Sequence, residues 1–121
     1  MKIYTKKGDK GETRLLYGDA VSKDSIAPEA YGSVDELVAA LGLVRYEQKL
    51  PLEAKEHVLQ IQRQLFVVGA ELATSKDNRA KLKPNETLVT DSMVETLEKE
   101  IDNLTETVSY THLTLPTKRI V

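Results

Sequence analysis

Between Thr5 and Gly18 the chain gathers glycines, lysines and hydroxyls: Thr5-Lys6-Lys7-Gly8-Asp9-Lys10-Gly11-Glu12-Thr13, closing at Gly18. Gly8 and Gly11 can adopt positive φ and let backbone N–H groups approach a ligand. Lys6, Lys7 and Lys10 supply cationic donors, and Thr5 and Thr13 add hydroxyls. This is the donor set of a phosphate loop. From Met1 to Lys23 six Lys or Arg stand against three Asp or Glu, a local net of +3 in a chain whose net charge is −2. The stretch is not the common P-loop, because no Ser or Thr follows a Gly-Lys pair and no helical pattern begins until about Pro28. A lysine-rich solvated turn has the same composition, so on the residues alone both readings stand.

Bulk properties narrow the setting. At 121 residues and 40% hydrophobic content the chain has room for one domain with a small core. A pI of about 5.7 argues against generic nucleic-acid or membrane-surface binding, so any cationic work must be local. With no cysteine there is no disulfide framework, thiolate metal site or cysteine nucleophile, which fits a reducing cytoplasm. No apolar stretch approaches the roughly 18 to 20 residues of a membrane span, and the charged start lacks a signal-peptide apolar segment. A cytoplasmic protein is expected.

The elements that must hold the loop are helical. Val34, Leu37, Leu41 and Val44 recur at helical spacing, which predicts a first helix over residues 28–46. Pro28 suits its first turn; Ser33 with Glu36 has the form of a capping box and offers a later start. Gly32 and Gly42 suggest close approach of another helix or a ligand, or are simply tolerated. A second helix over 51–73 carries Val58, Ile61, Leu65, Val68 and Leu72 as a core stripe, broadened by Leu59, Phe66 and Ala70. The polar stretch from Thr74 to Val89 reads as the main surface loop and is assigned no chemistry. A third helix is expected over 91–105, capped by Thr90, with Met93, Val94, Leu97, Ile101 and Leu104 on one face.

From Val108 to Thr117 the chain holds no charge and alternates like a strand. This string resembles the translation of a transposase-type adapter used in preparing sequencing libraries, so residues 108–121 are expected to be a non-native tail. The other reading is a genuine edge strand or tail. On the first reading Tyr110 and His112 have no functional role.

Other candidates carry little chemistry. Asp35 and Glu36 invite a reading as paired acid and base, but adjacent helical residues point about 100° apart and do not share a face. His57 falls among Glu53, Lys55, Glu56 and Gln60, a solvated face. Tyr4, Tyr17, Tyr31 and Tyr46 are too scattered for a stacking platform, and no serine has a histidine and an acid at catalytic spacing.

The residues Thr5-Lys6-x-Gly8-Asp9-x-Gly11-x-Thr13-x-Leu15-x-x-Gly18, then Lys23, then Glu29-Ala30-Tyr31-Gly32-Ser33-Val34-Asp35-Glu36-Leu37, resemble the PduO-type ATP:cob(I)alamin adenosyltransferases in order and spacing. The resemblance covers about Ile3 to Thr105, strongly to Leu43. It implies an all-α fold, a ferritin-like up-and-down bundle of five helices, of which about three are countable here, assembled as a homotrimer with the active site between subunits. Residues 1–107 would then be the N-terminal part of the domain, with residues 1–27 as the nucleotide loop. The later motif resembling Phe-Ile-Leu-Pro-Gly-Gly and the arginine-rich helix of the family are absent, so the chain reads as truncated, with exposed apolar helix faces and no activity of its own.

In the family reaction Co(I) of a reduced corrinoid attacks the 5′ carbon of ATP, the deoxyadenosyl group moves to cobalt, and triphosphate leaves. The cosubstrates implied are ATP and cob(I)alamin or a related corrinoid, with Mg²⁺ bridging phosphate oxygens. By resemblance, Thr5, Lys6, Lys7 and Gly8 wrap the phosphates, with Asp9 and Gly11 in the same loop. Thr13 and Arg14 add contacts, and Lys23 reaches the nucleotide. Arg14 stands where the family often has a small hydroxyl residue. Asp9 is either a structural brace or a group approaching the metal through water. Asp35 matches an aspartate that pairs with an arginine of the neighbouring subunit near the site. Neither nucleic acid nor membrane is an expected partner. Two other functions stay open: a noncatalytic helical interaction module, and an ATP-dependent transferase with another acceptor. Loss of nucleotide binding on replacing Lys6 and Lys23 separates the first of these from the enzyme.

Overall fold

The computed structural model describes residues 3–6, 8–23 and 25–114, the last six of these by their backbone. The chain divides into two compact units, one ending at Val89 and one beginning at Thr90.

The first unit is a helical hairpin with a small β-hairpin at its N-terminal side. Helix α1 (Ile26–Tyr46) and helix α2 (Leu52–Leu72) are each 21 residues, about 32 Å at 1.5 Å per residue. They agree with the predicted ranges to within two residues. Pro28 occupies the first turn of α1, where its missing N–H has no intrahelical partner to lose. Ser33 does not start the helix; its hydroxyl donates to the Glu29 carbonyl at 3.0 Å, one turn back.

The helices run antiparallel and are pinned by one polar side chain. Gln62 of α2 is 7% exposed. Its Nε2 donates to the Val38 carbonyl of α1 at 2.9 Å, and its Oε1 accepts from the Arg45 guanidinium at 2.9 Å. A Cβ added at Gly42 would lie 3.7 Å from Gln62 Nε2, an ordinary contact, whereas Gly32 faces open space. Of the two glycines, Gly42 thus faces the neighbouring helix at ordinary contact distance, and Gly32 does not.

The expected core stripe of α2 is not the core. Val67 and Gln62 are the buried residues of this helix, while Val58, Ile61, Leu65 and Val68 are half-buried and Leu72 is exposed. On α1, Leu37 and Val44 are exposed and no residue is buried. The reason is geometric: a helix pair can bury only the strip where the two cylinders touch, and stripes wide enough for several neighbours keep the remainder outside.

The β-hairpin pairs β1 (Glu12–Arg14) with β2 (Ala20–Ser22), antiparallel, with Thr13 opposite Val21. The sequence reading contains no such sheet. After α2 the polar stretch begins with a 3₁₀ turn, Lys76–Lys81. Leu82 beyond it is buried, as are Leu15 of the hairpin and Thr74.

The second unit holds helix α3 (Asp91–Thr114). Thr90 precedes it as expected, its carbonyl accepting from the Met93 N–H at 3.1 Å. The helix continues well past residue 105, and residues 108–114 are helical rather than strand-like. Thr, Val, Ser, Tyr and His cost at most about 0.7 kcal/mol each against Ala in a helix. Neither glycine nor proline interrupts the run before Pro116. Alternating polarity over a few residues cannot outweigh a ladder already formed. Residues 115–121 lie outside the described residues. Among the described residues no helix is long and apolar enough to cross a membrane.

Candidate functional site

The loop between Ile3 and β1 is shaped by its own backbone. Asp9 N–H donates to the Lys6 carbonyl and Gly11 N–H to the Gly8 carbonyl, both at 3.3 Å, so the chain turns twice before the hairpin. Gly11 has φ 84°, a conformation nearly closed to L side chains, and its carbonyl accepts the Lys23 N–H at 2.8 Å. Lys6 is also left-handed, at φ 60°.

Gly8 is small because it lacks room. A Cβ there would lie 3.0 Å from Lys23 Nζ, 3.2 Å from Lys23 Cε and 3.3 Å from the Glu12 carbonyl oxygen. The absence of a side chain at Gly8 lets the Lys23 ammonium lie against the loop, although the two residues are 15 positions apart.

This arrangement opens onto a concavity of about 690 Å³. Of the candidate residues, Thr5, Lys6, Gly8, Thr13 and Arg14 line it, joined by Lys10 and Glu12. One Arg14 nitrogen donates to the Gly18 carbonyl at 2.8 Å, which fixes the guanidinium across the hairpin. Lys6 Nζ lies 5.7 Å from the centre of the Tyr4 ring. Asp9 is exposed in the turn and is not among the lining residues. Lys7 lies outside the described residues.

A wall of two ammonium groups, a guanidinium and two hydroxyls, against the single carboxylate of Glu12, suits an anion with several oxygens better than a bare cation. Among the described residues no three His, Cys, Asp or Glu side chains are grouped to hold a metal ion.

Asp35 does not join this concavity. It is exposed on α1 and borders a separate groove of about 440 Å³ between the helices, with Tyr31, Val34, Leu65, Phe66 and Gly69.

The structure adds residues that the sequence reading passed over. At the hairpin tip Leu16 N–H donates to the Ala73 carbonyl at 2.8 Å, and the Tyr17 hydroxyl donates to the Lys81 carbonyl at 3.0 Å. Lys81 Nζ stands 5.3 Å from the centre of the Tyr17 ring. Asp19 Oδ2 accepts from Ser75 Oγ, and from Asn78 Nδ2 at 2.7 Å. These partners are 56 to 64 residues apart in the chain, and no local pattern announces them.

Comparison with known proteins gives one family. The cobalamin adenosyltransferase family model matches residues 3–120. A corrinoid adenosyltransferase of Citrobacter freundii is 36% identical over 120 residues, covering 98% of this chain and 66% of the relative. One from Bacillus subtilis is 37% identical over 108 residues, covering 87% of this chain and 52% of the relative. The chain thus spans about half to two thirds of the length of these relatives. Among solved structures, a variant of the PduO-type ATP:corrinoid adenosyltransferase from Lactobacillus reuteri, complexed with cobalamin and ATP, superposes with a TM-score of 0.77. It is 30% identical, over 99% of this chain and 61% of that one.

Proposed function

Since this chain belongs to the cobalamin adenosyltransferase family, we propose that the protein with the whole family domain in place transfers the 5′-deoxyadenosyl group of ATP to the Co(I) of a reduced corrinoid, this chain supplying the nucleotide loop and no catalysis by itself. The cobalt electron pair forms the bond to C5′, the C5′–O bond breaks, and triphosphate leaves with the electrons of the broken bond. The observation that carries this reading is the concavity of cationic and hydroxyl donors at the N-terminal loop, with Lys23 lying in the space left by Gly8. The relatives and the neighbour bound to cobalamin and ATP support it.

Within this reading Thr5, Lys6, Gly8, Thr13, Arg14 and Lys23 hold the triphosphate, and Lys7, Asp9 and Gly11 belong to the same loop. Negative charge grows on the leaving triphosphate as the C5′–O bond breaks. Fixed cations around it stabilise the transition state more than the ground state. The donor set fits phosphate and not a free cation, so Mg²⁺ would ride on the phosphate oxygens and water, supplying charge neutralisation there. Asp35 lies on an exposed face, which suits pairing with an arginine of a neighbouring copy in a homotrimer. A cytoplasmic location completes the proposal.

The test is calorimetric titration of this chain with Mg²⁺-ATP, followed by absorbance detection of adenosylcobalamin when cob(I)alamin is added to the same chain extended by the family's C-terminal half. Lys6→Ala and Lys23→Ala should each weaken ATP binding about tenfold or more, the scale of one hydrogen bond to a charged group. Unchanged affinity in both variants would remove the loop from the site and leave the noncatalytic module.

A further inference from the structure

The polar stretch after α2 carries no recognised chemistry, yet it receives the tip of the β-hairpin through three separate interactions. Leu16 bonds to Ala73, Tyr17 to Lys81, and Asp19 to both Ser75 and Asn78. Leu15, Thr74 and Leu82, next to these anchors in the chain, are each 8% exposed. The tip itself is strained. Tyr17, a bulky residue, sits at φ 70°, next to Gly18 at φ 97°. Such a backbone persists only where surrounding contacts over-determine it.

Of the side chains that hydrogen-bond at the tip Asp19 is the charged one. A carboxylate that accepts two side-chain hydrogen bonds forms a stronger and more directional link than neutral pairs do. Its position matters because β1 and β2 are only three residues each. Thr13 and Arg14 of β1 lead directly into the tip, and Ser22 of β2 leads directly to Lys23. Whatever holds the tip therefore also sets where the Thr13 and Arg14 wall of the concavity stands, and where Lys23 meets Gly8 beside it.

We propose that Asp19 is a positioning residue for nucleotide binding. By gripping Ser75 and Asn78 it fixes the hairpin that presents Thr13, Arg14 and Lys23, without itself touching the nucleotide. The inference rests on the transferase reading for its ligand. It assigns to the 3₁₀ turn a role as the seat of the site.

The experiment is a mutant cycle on the whole chain, read by Mg²⁺-ATP titration, helix content on heating, and amide hydrogen exchange at Leu16. Asp19→Ala should weaken ATP binding about tenfold while the thermal transition of the helices stays nearly in place. Asp19→Asn keeps an acceptor oxygen and should recover most of the affinity. In a Ser75→Ala, Asn78→Ala background the further change Asp19→Ala should alter affinity less than about twofold, because the partners are already gone. Leu16 exchange should quicken in Asp19→Ala with or without nucleotide. Full loss of affinity persisting in the double-alanine background would put the carboxylate on the nucleotide or its metal and overturn the proposal. Unchanged affinity or unchanged Leu16 exchange in Asp19→Ala would overturn it as well. A wild-type chain that fails to bind ATP, with Leu16 exchange still quickened by Asp19→Ala, would sink the transferase reading and uphold the latch.

Discussion

The β-hairpin and the pair α1 and α2 are stabilised by opposite means. At the hairpin a few residues meet designated partners far away in sequence: Leu16 with Ala73, Tyr17 with Lys81, Asp19 with Ser75 and Asn78. In the helix pair one buried glutamine and one buried valine do the joining, while Leu43, Tyr46 and Phe66 stand 77%, 82% and 65% exposed. The difference shows that shape at the candidate site is specified by directional bonds within this chain, whereas the helices specify only their contact strip. Large apolar surface on a helix pair is what a bundle presents before its remaining layers are added.

Removing the polar pin of the helices is the strongest way to break this contrast. Gln62→Ala removes the second donor of the Val38 carbonyl, leaves one Arg45 donor without its partner and opens space between the helices, and should cost about 2 kcal/mol, measured by urea unfolding. A smaller effect, confined to the site, is expected from Gly8→Ala. The new Cβ must displace the end of Lys23, so ATP affinity should fall about fivefold, or roughly 1 kcal/mol, with urea unfolding hardly altered. The smallest change sharpens the comparison from the other side. Phe66→Ser should leave the unfolding free energy within about 0.5 kcal/mol, because little of Phe66 is buried, while delaying aggregation as followed by light scattering. A large loss of stability there would mean that Phe66 is packed.

The two regions were also unequally legible in the sequence. Helical periodicity placed α1 and α2 to within two residues, since a 21-residue element repeats its signal many times. The glycines, lysines and threonines from Thr5 to Thr13 marked the loop by composition. Strands of three residues, by contrast, hold too few alternations for a period of two to emerge, so β1 and β2 left no trace. Asp19 looked like any surface acid because its partners lie 56 and 59 positions away. The need for glycine at position 8 comes from Lys23, again a nonlocal cause. Over 108–114 a local alternation offered an edge strand as the second reading beside a non-native tail, and helix continues there instead. Stripes of apolar residues told which faces avoid water, but not which of them this chain covers by itself.

Glu71 binds the far end of the polar stretch. One of its carboxylate oxygens accepts the Val89 N–H at 3.3 Å and lies 3.6 Å from the Arg79 guanidinium. Both ends of the segment from Thr74 to Val89 are thereby fastened near the end of α2, while the turn at Asn85 and Glu86 projects into solvent. A closed segment of this kind accepts added length at its exposed apex at the loss of the turn's own bonds, in which the Glu86, Thr87 and Leu88 N–H groups donate to the Lys83 carbonyl. A fluorescent reporter peptide grafted between Asn85 and Glu86 would ride on the protein without pulling on the seat beneath the hairpin.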